Sequence, residues 1–150
     1  MNKILSLVLF LTVNTMAYDV KQAQAFDAFY SHMTQKACAD SKLFVTAEDA
    51  MKMIRDNNIT MIDVRTTGEA NVIALSEKNA MHIPIKDLFK KENLDTLVTT
   101  KPIVVVCHSG TRATLAAIGL KRLGFKNVHV LKGGLIALST ENNPKSAPLL

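Results

Sequence analysis

The feature that most constrains the fold of this chain is a run of β-branched residues that leads into a short turn and then into a helix. Ile103–Val106 is uniformly apolar, which is typical of a strand covered on both faces. Residues 111–123 repeat alanine and leucine at helical spacing, and Gly124 supplies the stop. The turn between them, at 107–110, is therefore predicted to lie at the carboxyl end of a central strand.

The remaining segments alternate between strand and helix patterns. Strands are predicted at 42–45, 60–64, 81–84, 103–106 and 127–131, and helices at 46–57 and 111–123. A helical segment is predicted at 20–39, and one or two short helical turns within 86–99. Residues 65–68 are predicted to form a polar turn, and 69–80 favour neither state. Apolar strands that alternate with helices indicate an α/β fold of three layers, with a mainly parallel central sheet and helices on both faces. Ligands bind such sheets beyond the carboxyl ends of the strands, where Cys107 is expected.

The first residues have the layout of a secretory signal peptide. Lys3 gives a positive start, 4–13 is apolar, and Ala17 supplies a small residue at the expected cleavage site. Ala25 offers a second, more distant site. The apolar run is shorter than the roughly 20 residues that a spanning helix needs. We therefore expect an exported, periplasmic protein that has no membrane partner after cleavage.

Four segments are predicted along the chain: a signal peptide at 1–17, a helical extension at 18–42, the main domain at 43–139 and a flexible tail at 140–150. With 150 residues, of which 48% are apolar, the chain suits one hydrophobic core. The net charge of +5 comes from scattered basic residues that often stand beside acids. A dispersed surplus of this kind is typical of a soluble surface and gives no indication of nucleic-acid binding.

Two cysteines, Cys38 and Cys107, are available for chemistry. A structural disulfide between them would suit an exported protein. Their surroundings differ, however, because Cys38 sits in a polar segment and Cys107 follows a buried strand. We therefore favour a single working thiol over a permanent bridge. Neither the cysteines nor the four histidines show the spacing of a metal site, and no metal or cofactor is expected.

The turn after the central strand has the composition of an anion cradle. Free backbone N–H groups at the start of the next helix, together with Arg112, favour the thiolate form of Cys107. Gly110 allows the turn to curl with its amides facing inward. The simpler interpretation is a buried cysteine at a strand end, since free cysteine is among the most buried residue types. The glycine and arginine within one short turn favour a reactive nucleophile instead.

Several short motifs, taken in order, resemble those of the rhodanese family. Residues 107–112, read as C-x-x-G-x-R after a hydrophobic strand, are similar to the active-site loop of that family. The other similar elements are I-D-V-R at 62–65, H-I-P at 82–84, L-G-F at 123–125 and L-K-G-G at 131–134. The resemblance covers roughly 43–139 and implies a single-domain sulfurtransferase with the rhodanese-like three-layer fold.

The resemblance implies a cycle of sulfur transfer. Cys107 would attack the outer sulfur of thiosulfate or a similar small anionic donor and carry it as a persulfide. A thiol, cyanide or a partner protein would then accept the sulfur. Arg112 would orient the donor as the second catalytic residue. Substrate contacts would come from the loop positions His108, Ser109, Gly110 and Thr111. For His108, a variable loop position that faces solvent is favoured over a contact with substrate.

Two neighbouring residues and two alternative functions complete the interpretation. By resemblance, Asp63 and Arg65 are structural partners near the site.

Phosphatases of the same fold place their arginine six positions after the cysteine, whereas Arg112 follows Cys107 by five, which argues against phosphate chemistry. A sulfur-relay or redox binding module of the same fold, without general catalysis, is the remaining alternative.

Overall fold

The computed structural model describes residues 17–78, 80–97 and 100–141, and the chain forms two compact units, 1–34 and 35–150. The predicted signal peptide, apart from its last residue, lies outside the described residues, as does most of the predicted tail. None of the helices in the described ranges has both the length and the apolar character needed to cross a bilayer.

The first unit contains helix α1, Val20–Tyr30, which starts at an Asp19 side chain that accepts a hydrogen bond from the Gln22 amide. The helical segment predicted at 20–39 contains two helices, because the chain leaves α1 at Ser31 and a second helix begins at Gln35. Ser31 donates its hydroxyl to the carbonyl of Ala28, and side chains of this kind compete with helical backbone bonds.

The second unit is built on five strands and seven helices within the described residues. The strands are β1 Phe44–Val45, β2 Thr60–Asp63, β3 Ala80–His82, β4 Ile103–Val106 and β5 Val128–Leu131. The helices are α2 Gln35–Asp40, α3 Ala47–Arg55, α4 Thr67–Val72, α5 Ile85–Leu88, α6 Lys91–Leu94, α7 Thr111–Arg122 and α8 Gly134–Glu141. The predicted helical turns between 86 and 99 are thus present as α5 and α6.

All strand pairs are parallel, in the order β1-β5-β4-β2-β3, and strand β4 lies at the centre. Its alternate side chains face opposite layers: Val105 packs with the α7 side, while Val104 and Val106 pack with the α3 and α8 side. Both faces of the sheet are therefore covered by apolar clusters. This confirms the predicted three-layer α/β fold.

Helix starts in this unit follow local side-chain chemistry. Thr46 caps α3 as predicted, since its hydroxyl accepts from the Asp49 amide at 3.1 Å. The predicted polar turn at 65–68 is wrong, because Thr66 caps a helix there and Gly68 lies inside α4. Thr66 and Glu69 form a reciprocal capping box, which stabilises the first turn of α4.

The strand register brings the candidate residues to one edge of the sheet. Asp63 is level with both Val106 and His82 in the parallel ladder. The Val64 amide donates to the Val106 carbonyl at 2.9 Å, so the ends of β2 and β4 run side by side. Cys107, the next residue, therefore lies at the carboxyl edge where ligands of such sheets bind.

Candidate active site

Cys107 lies at the start of a tight turn between β4 and α7, and only 1% of its surface is exposed. The Gly110 amide donates a hydrogen bond to Sγ of Cys107 at 3.1 Å. Gly110 has φ +111°, a conformation that side chains rarely allow, and it is the residue from which α7 begins. The sulfur therefore meets a backbone donor at the amino end of a twelve-residue helix.

The carbonyl of Gly110 holds the other side of this turn. It accepts from the Thr114 amide at 2.9 Å and from the Thr114 hydroxyl at 3.0 Å. Both bonds belong to the first turn of α7. The glycine is thus fixed with its N–H towards the sulfur and its carbonyl towards the helix.

Helix α8 supports the turn from the opposite side. The Leu135 amide donates to the Cys107 carbonyl at 2.8 Å, and the Ile136 amide donates to the His108 carbonyl at 3.3 Å. A Cβ atom on Gly134 would lie 2.5 Å from each of these carbonyl oxygens. The start of α8 can approach the turn this closely only because Gly134 has no side chain. The two carbonyls therefore accept hydrogen bonds from α8, while the Gly110 amide donates to the sulfur.

Arg112 is bound by a carboxylate that the sequence analysis did not identify. Its Nη1 donates to Oε2 of Glu69 and its Nη2 donates to Oε1, each at 2.6 Å. This is a bidentate ion pair between α7 and α4. Hydrogen bonding to Glu69, and in smaller part the nearby Cys107 sulfur, raise the pKa of Arg112 above its usual value. The guanidinium is therefore charged and held beside the cysteine.

Glu69 is itself fixed by the capping box of α4. Its Oε2 accepts from the Thr66 amide at 3.0 Å and from the Thr66 hydroxyl at 2.8 Å. Arg112, and then Thr66, hold the pKa of this carboxyl far below its usual range. The Thr-x-x-Glu pattern at 66–69 was the sequence signal for this residue, since it is typical of a helix start.

Asp63 and Arg65 form a second ion pair at the same edge, and both are buried. Arg65 Nη2 donates to Asp63 Oδ2 at 2.6 Å, and Arg65 Nε donates to Asp63 Oδ1 at 2.9 Å. Hydrogen bonding to Asp63 raises the pKa of Arg65. Arg65 Nη2 also donates to the Ile73 carbonyl at 2.7 Å, and His82 Nε2 lies 3.1 Å from the Arg65 carbonyl, which can accept its N–H. The pair thus ties the ends of β2, β3 and α4 together.

The predicted substrate-binding residues differ in exposure. Gly110 is buried, whereas His108, Ser109 and Thr111 are exposed on the outer side of the turn. A cleft of about 460 Å³ borders the turn, and its lining consists of Phe44, Ser109, Gly110, Thr111, Thr114, Leu115, Lys132 and Gly133. Another depression lies at the opposite edge, by Lys101 and Leu123, away from Cys107. Cys38 is exposed on α2, and both cysteines are free thiols.

Together these contacts define what the turn can do chemically. A thiolate at Cys107 has a backbone donor within hydrogen-bond distance and a fixed guanidinium nearby. Both can stabilise a negative charge that develops on an atom bound to the sulfur during a reaction. The arrangement suits a nucleophile that forms an anionic covalent product.

Known proteins are similar to this chain over more than half of its length. A family model described as a rhodanese-like domain matches residues 46–141. The protein named "Putative sulfurtransferase YtwF" from Bacillus subtilis (strain 168) is 34% identical over 101 residues, which cover 67% of this chain and 93% of that protein. A tRNA uridine(34) hydroxylase from Pelagibacter ubique (strain HTCC1062) is 35% identical over 85 residues, 57% of this chain. The chain spans only 28% of the length of that hydroxylase.

Solved structures show the same fold. A rhodanese-related protein from Thermoplasma volcanium superposes with a TM-score of 0.57 at 28% identity, covering 67% of this chain and 93% of that one. The Alr3790 protein from Anabaena gives a TM-score of 0.58 at 26% identity, covering 67% of this chain and 79% of that one.

Proposed function

The chain belongs to the rhodanese-like domain family and is a sulfurtransferase-type protein, and from this premise we propose that it moves sulfane sulfur through a persulfide on Cys107. The donor would be thiosulfate or a similar sulfane compound, and the acceptor a thiol or cyanide. The observation that carries the proposal is the 3.1 Å hydrogen bond from the Gly110 amide to the Cys107 sulfur. Such a donor stabilises negative charge on Sγ and on an outer sulfur attached to it.

In the first half of the cycle, the Cys107 thiolate attacks the outer sulfur of the donor. With thiosulfate, a new S–S bond forms at Cys107 while the donor's S–S bond breaks. The electron pair of that bond leaves with sulfite, and the enzyme retains one sulfur as a persulfide anion. Electrons and charge balance without any external oxidant.

In the second half, the acceptor attacks the outer sulfur of the persulfide and the Cys107 thiolate leaves. Cyanide yields thiocyanate directly. A thiol yields its own persulfide, and the proton of the thiol passes to the outer sulfur of that persulfide. In both cases the enzyme returns to its starting thiolate, held by the same amide.

We propose that Arg112 favours the ionised forms of the cysteine and its persulfide through its fixed position beside Cys107. Asp63 and Arg65 would act as structural partners, since they bond to each other and to the backbone of the Ile73 segment. His108, Ser109 and Thr111 are exposed at the outer side of the turn, where an incoming donor or acceptor would contact them.

The proposal is tested by the substitution Cys107→Ser. Purified protein treated with a sulfane donor should gain one sulfur atom at Cys107 by mass spectrometry. The variant should lose this adduct, and its turnover to cyanide should fall by about 1000-fold or more, as for other essential nucleophiles. The control Cys38→Ser removes the exposed thiol and should behave like the wild-type protein. Undiminished turnover in Cys107→Ser would refute the proposal.

A sulfur-relay module without general catalysis is the second candidate. It is favoured by the similarity to a protein named "Putative sulfur carrier protein YrkF" from Bacillus subtilis (strain 168), which is 32% identical over 77 residues. A relay module would accept one sulfur per chain and hold it. Repeated turnover with a small thiol acceptor would favour the enzyme, whereas a single stoichiometric loading would favour the relay.

We also propose that the protein is exported to the periplasm after cleavage at Ala17. The support is the sequence order of Lys3, the apolar run at 4–13 and the small residue at the cut. The test is to express the full chain in a bacterium and to determine the N-terminal sequence of the periplasmic product. A product that begins at Tyr18 supports the proposal, and uncleaved cytoplasmic protein contradicts it.

A further inference from the structure

Arg112 is held by Glu69, and this contact bears on the charge of the donor that the site would prefer. Both terminal nitrogens of its guanidinium are already bonded to the two oxygens of Glu69, each at 2.6 Å. Glu69 cannot turn away freely, because Thr66 donates to it from both its amide and its hydroxyl. The positive charge of Arg112 is therefore balanced by a carboxylate on one face, so that it acts on the Cys107 sulfur at short range and adds little attraction for a distant anion.

The neighbouring guanidinium is neutralised in the same way. Arg65 is bonded to Asp63 in a pair whose side chains are 3% and 4% exposed. The four ionised side chains of the two pairs therefore add no net charge to this edge of the sheet. A doubly negative ligand at Cys107 would gain little long-range attraction from them.

We propose that Glu69 is a specificity-determining residue, which by neutralising Arg112 directs Cys107 towards singly charged sulfane donors and away from dianionic thiosulfate. The favoured class is that of organic thiosulfonates and organic persulfides. This inference rests on the proposed sulfur-transfer function of the same site.

Burial of the cysteine increases the expected preference for singly charged donors. Because Cys107 is only 1% exposed, a donor must shed water around its outer sulfur to reach it. The cost of removing water rises steeply with charge, so a dianion without a free counter-charge loses more than a monoanion. Lys132 lines the cleft beside the turn. Its contribution to the binding of an anionic donor must therefore be separated from that of Arg112.

A pair of donors with matched chemistry isolates the effect of charge. Thiosulfate and methanethiosulfonate both deliver an outer sulfur and release a sulfur-oxygen anion, sulfite or methanesulfinate. They differ by one negative charge. The measured quantity is the ratio of kcat/KM for thiosulfate to kcat/KM for methanethiosulfonate, with cyanide as acceptor.

The decisive variant is Glu69→Gln. Glutamine also serves in capping boxes, so α4 should remain folded while the charge of Arg112 is released. We expect the donor ratio to rise about fivefold, the upper effect of a part-exposed ion pair, with most of the change in KM for thiosulfate. High salt should reduce this rise, because it screens exposed charges.

Controls separate this effect from other causes. Asp95→Asn makes the same change of net charge in an exposed pair on another helix, and it should leave the donor ratio unchanged. Lys132→Gln should lower the ratio less than Glu69→Gln raises it. Thermal unfolding of each variant checks that the fold is retained.

The outcomes are distinguishable from failure of the proposed function. If neither donor forms a persulfide on Cys107, the sulfur-transfer proposal itself is refuted. If both donors react but Glu69→Gln leaves their ratio unchanged, or lowers it, the inference about Glu69 is wrong while sulfur transfer stands.

Discussion

Two ion pairs lie at the carboxyl edge of the sheet, and their surroundings differ sharply. Asp63 and Arg65 belong to one strand end, and their side chains are 4% and 3% exposed. Glu69 and Arg112 join two helices that are distant in sequence, with side chains 36% and 32% exposed. Both pairs are bidentate, so geometry alone does not distinguish them.

The contrast shows that two arginine–carboxylate pairs contribute differently to folding. In the buried pair, each charge depends on the other, since neither can be hydrated if its partner is lost. In the half-exposed pair, water can replace a missing partner, so the pair contributes less to folding. Changes in its charge balance are therefore expected to affect the proposed sulfur transfer at Cys107 more than the stability of the fold.

The largest effect on the free energy of unfolding is expected from Asp63→Ala. The variant would leave Arg65 charged and buried without its carboxylate, which destabilises proteins by about 3–5 kcal/mol. Urea unfolding measures the loss. The double variant Asp63→Leu with Arg65→Met removes both charges and should lose less than the single one. Equal stability of Asp63→Ala and wild type would show that the pair is not structural.

A backbone contact extends the comparison, because it tests how much of the turn's stability does not depend on charged side chains. Gly134→Ala places a Cβ atom against the carbonyls of Cys107 and His108, in a left-handed conformation. We expect a loss of about 2–3 kcal/mol in the free energy of unfolding, together with slower persulfide formation. The matched control is Gly68→Ala, whose Cβ would meet nothing within 4 Å. If both substitutions have the same effect, the close approach of α8 is unimportant.

Arg112→Lys tests the half-exposed pair for function. Lysine keeps the charge but cannot form the planar two-bond contact with Glu69, so the positive charge is no longer fixed beside the sulfur. We expect persulfide formation to slow about tenfold, the size of a modest loss of electrostatic stabilisation, with little change in the urea midpoint. Arg122→Lys, at the other end of α7, serves as the control. An unchanged rate would mean that any cation on α7 suffices.

The smallest effect is expected when the pH is lowered and the stability that Glu69 contributes is lost. The pKa of Glu69 is lower in the folded protein than its ordinary value of 4.5. Its stabilising contribution is therefore complete above pH 4.5 and is lost as the pH falls from there towards the folded value. The difference in urea midpoint between wild type and Glu69→Gln should stay constant from pH 7 to pH 5 and shrink at pH 4 and pH 3. A difference that grows with acid would contradict this sign.

The sequence predicted best those elements whose signal is local. The β-branched run of β4 and the alanine face of α7 both appear with bounds within one residue of the predicted ones. Because the turn between them is fixed by its neighbours, Cys107 and Gly110 could be placed at the sheet edge without further information. The cap at Thr46 was equally local.

What the sequence did not predict depends on contacts between distant segments. Glu69 lies 43 positions before Arg112, and α4 is too short to show an apolar stripe. Its capping pattern could have indicated a helix, but no local rule indicates the partner. The role of Gly134 was hidden for the same reason, since its motif was visible while the carbonyls that it approaches lie in another loop.

The strand order determines when the surroundings of Cys107 are complete. Strand β4 pairs with β2 before it and with β5 after it, so its surroundings are complete only when residues 60 to 136 have come together. Parallel pairings of this kind form late, because long loops must close first. Before these segments assemble, during synthesis or any passage through a membrane as an unfolded chain, Cys107 lacks the hydrogen bond that the Gly110 amide donates to its sulfur. The proposed sulfur transfer therefore requires the folded protein.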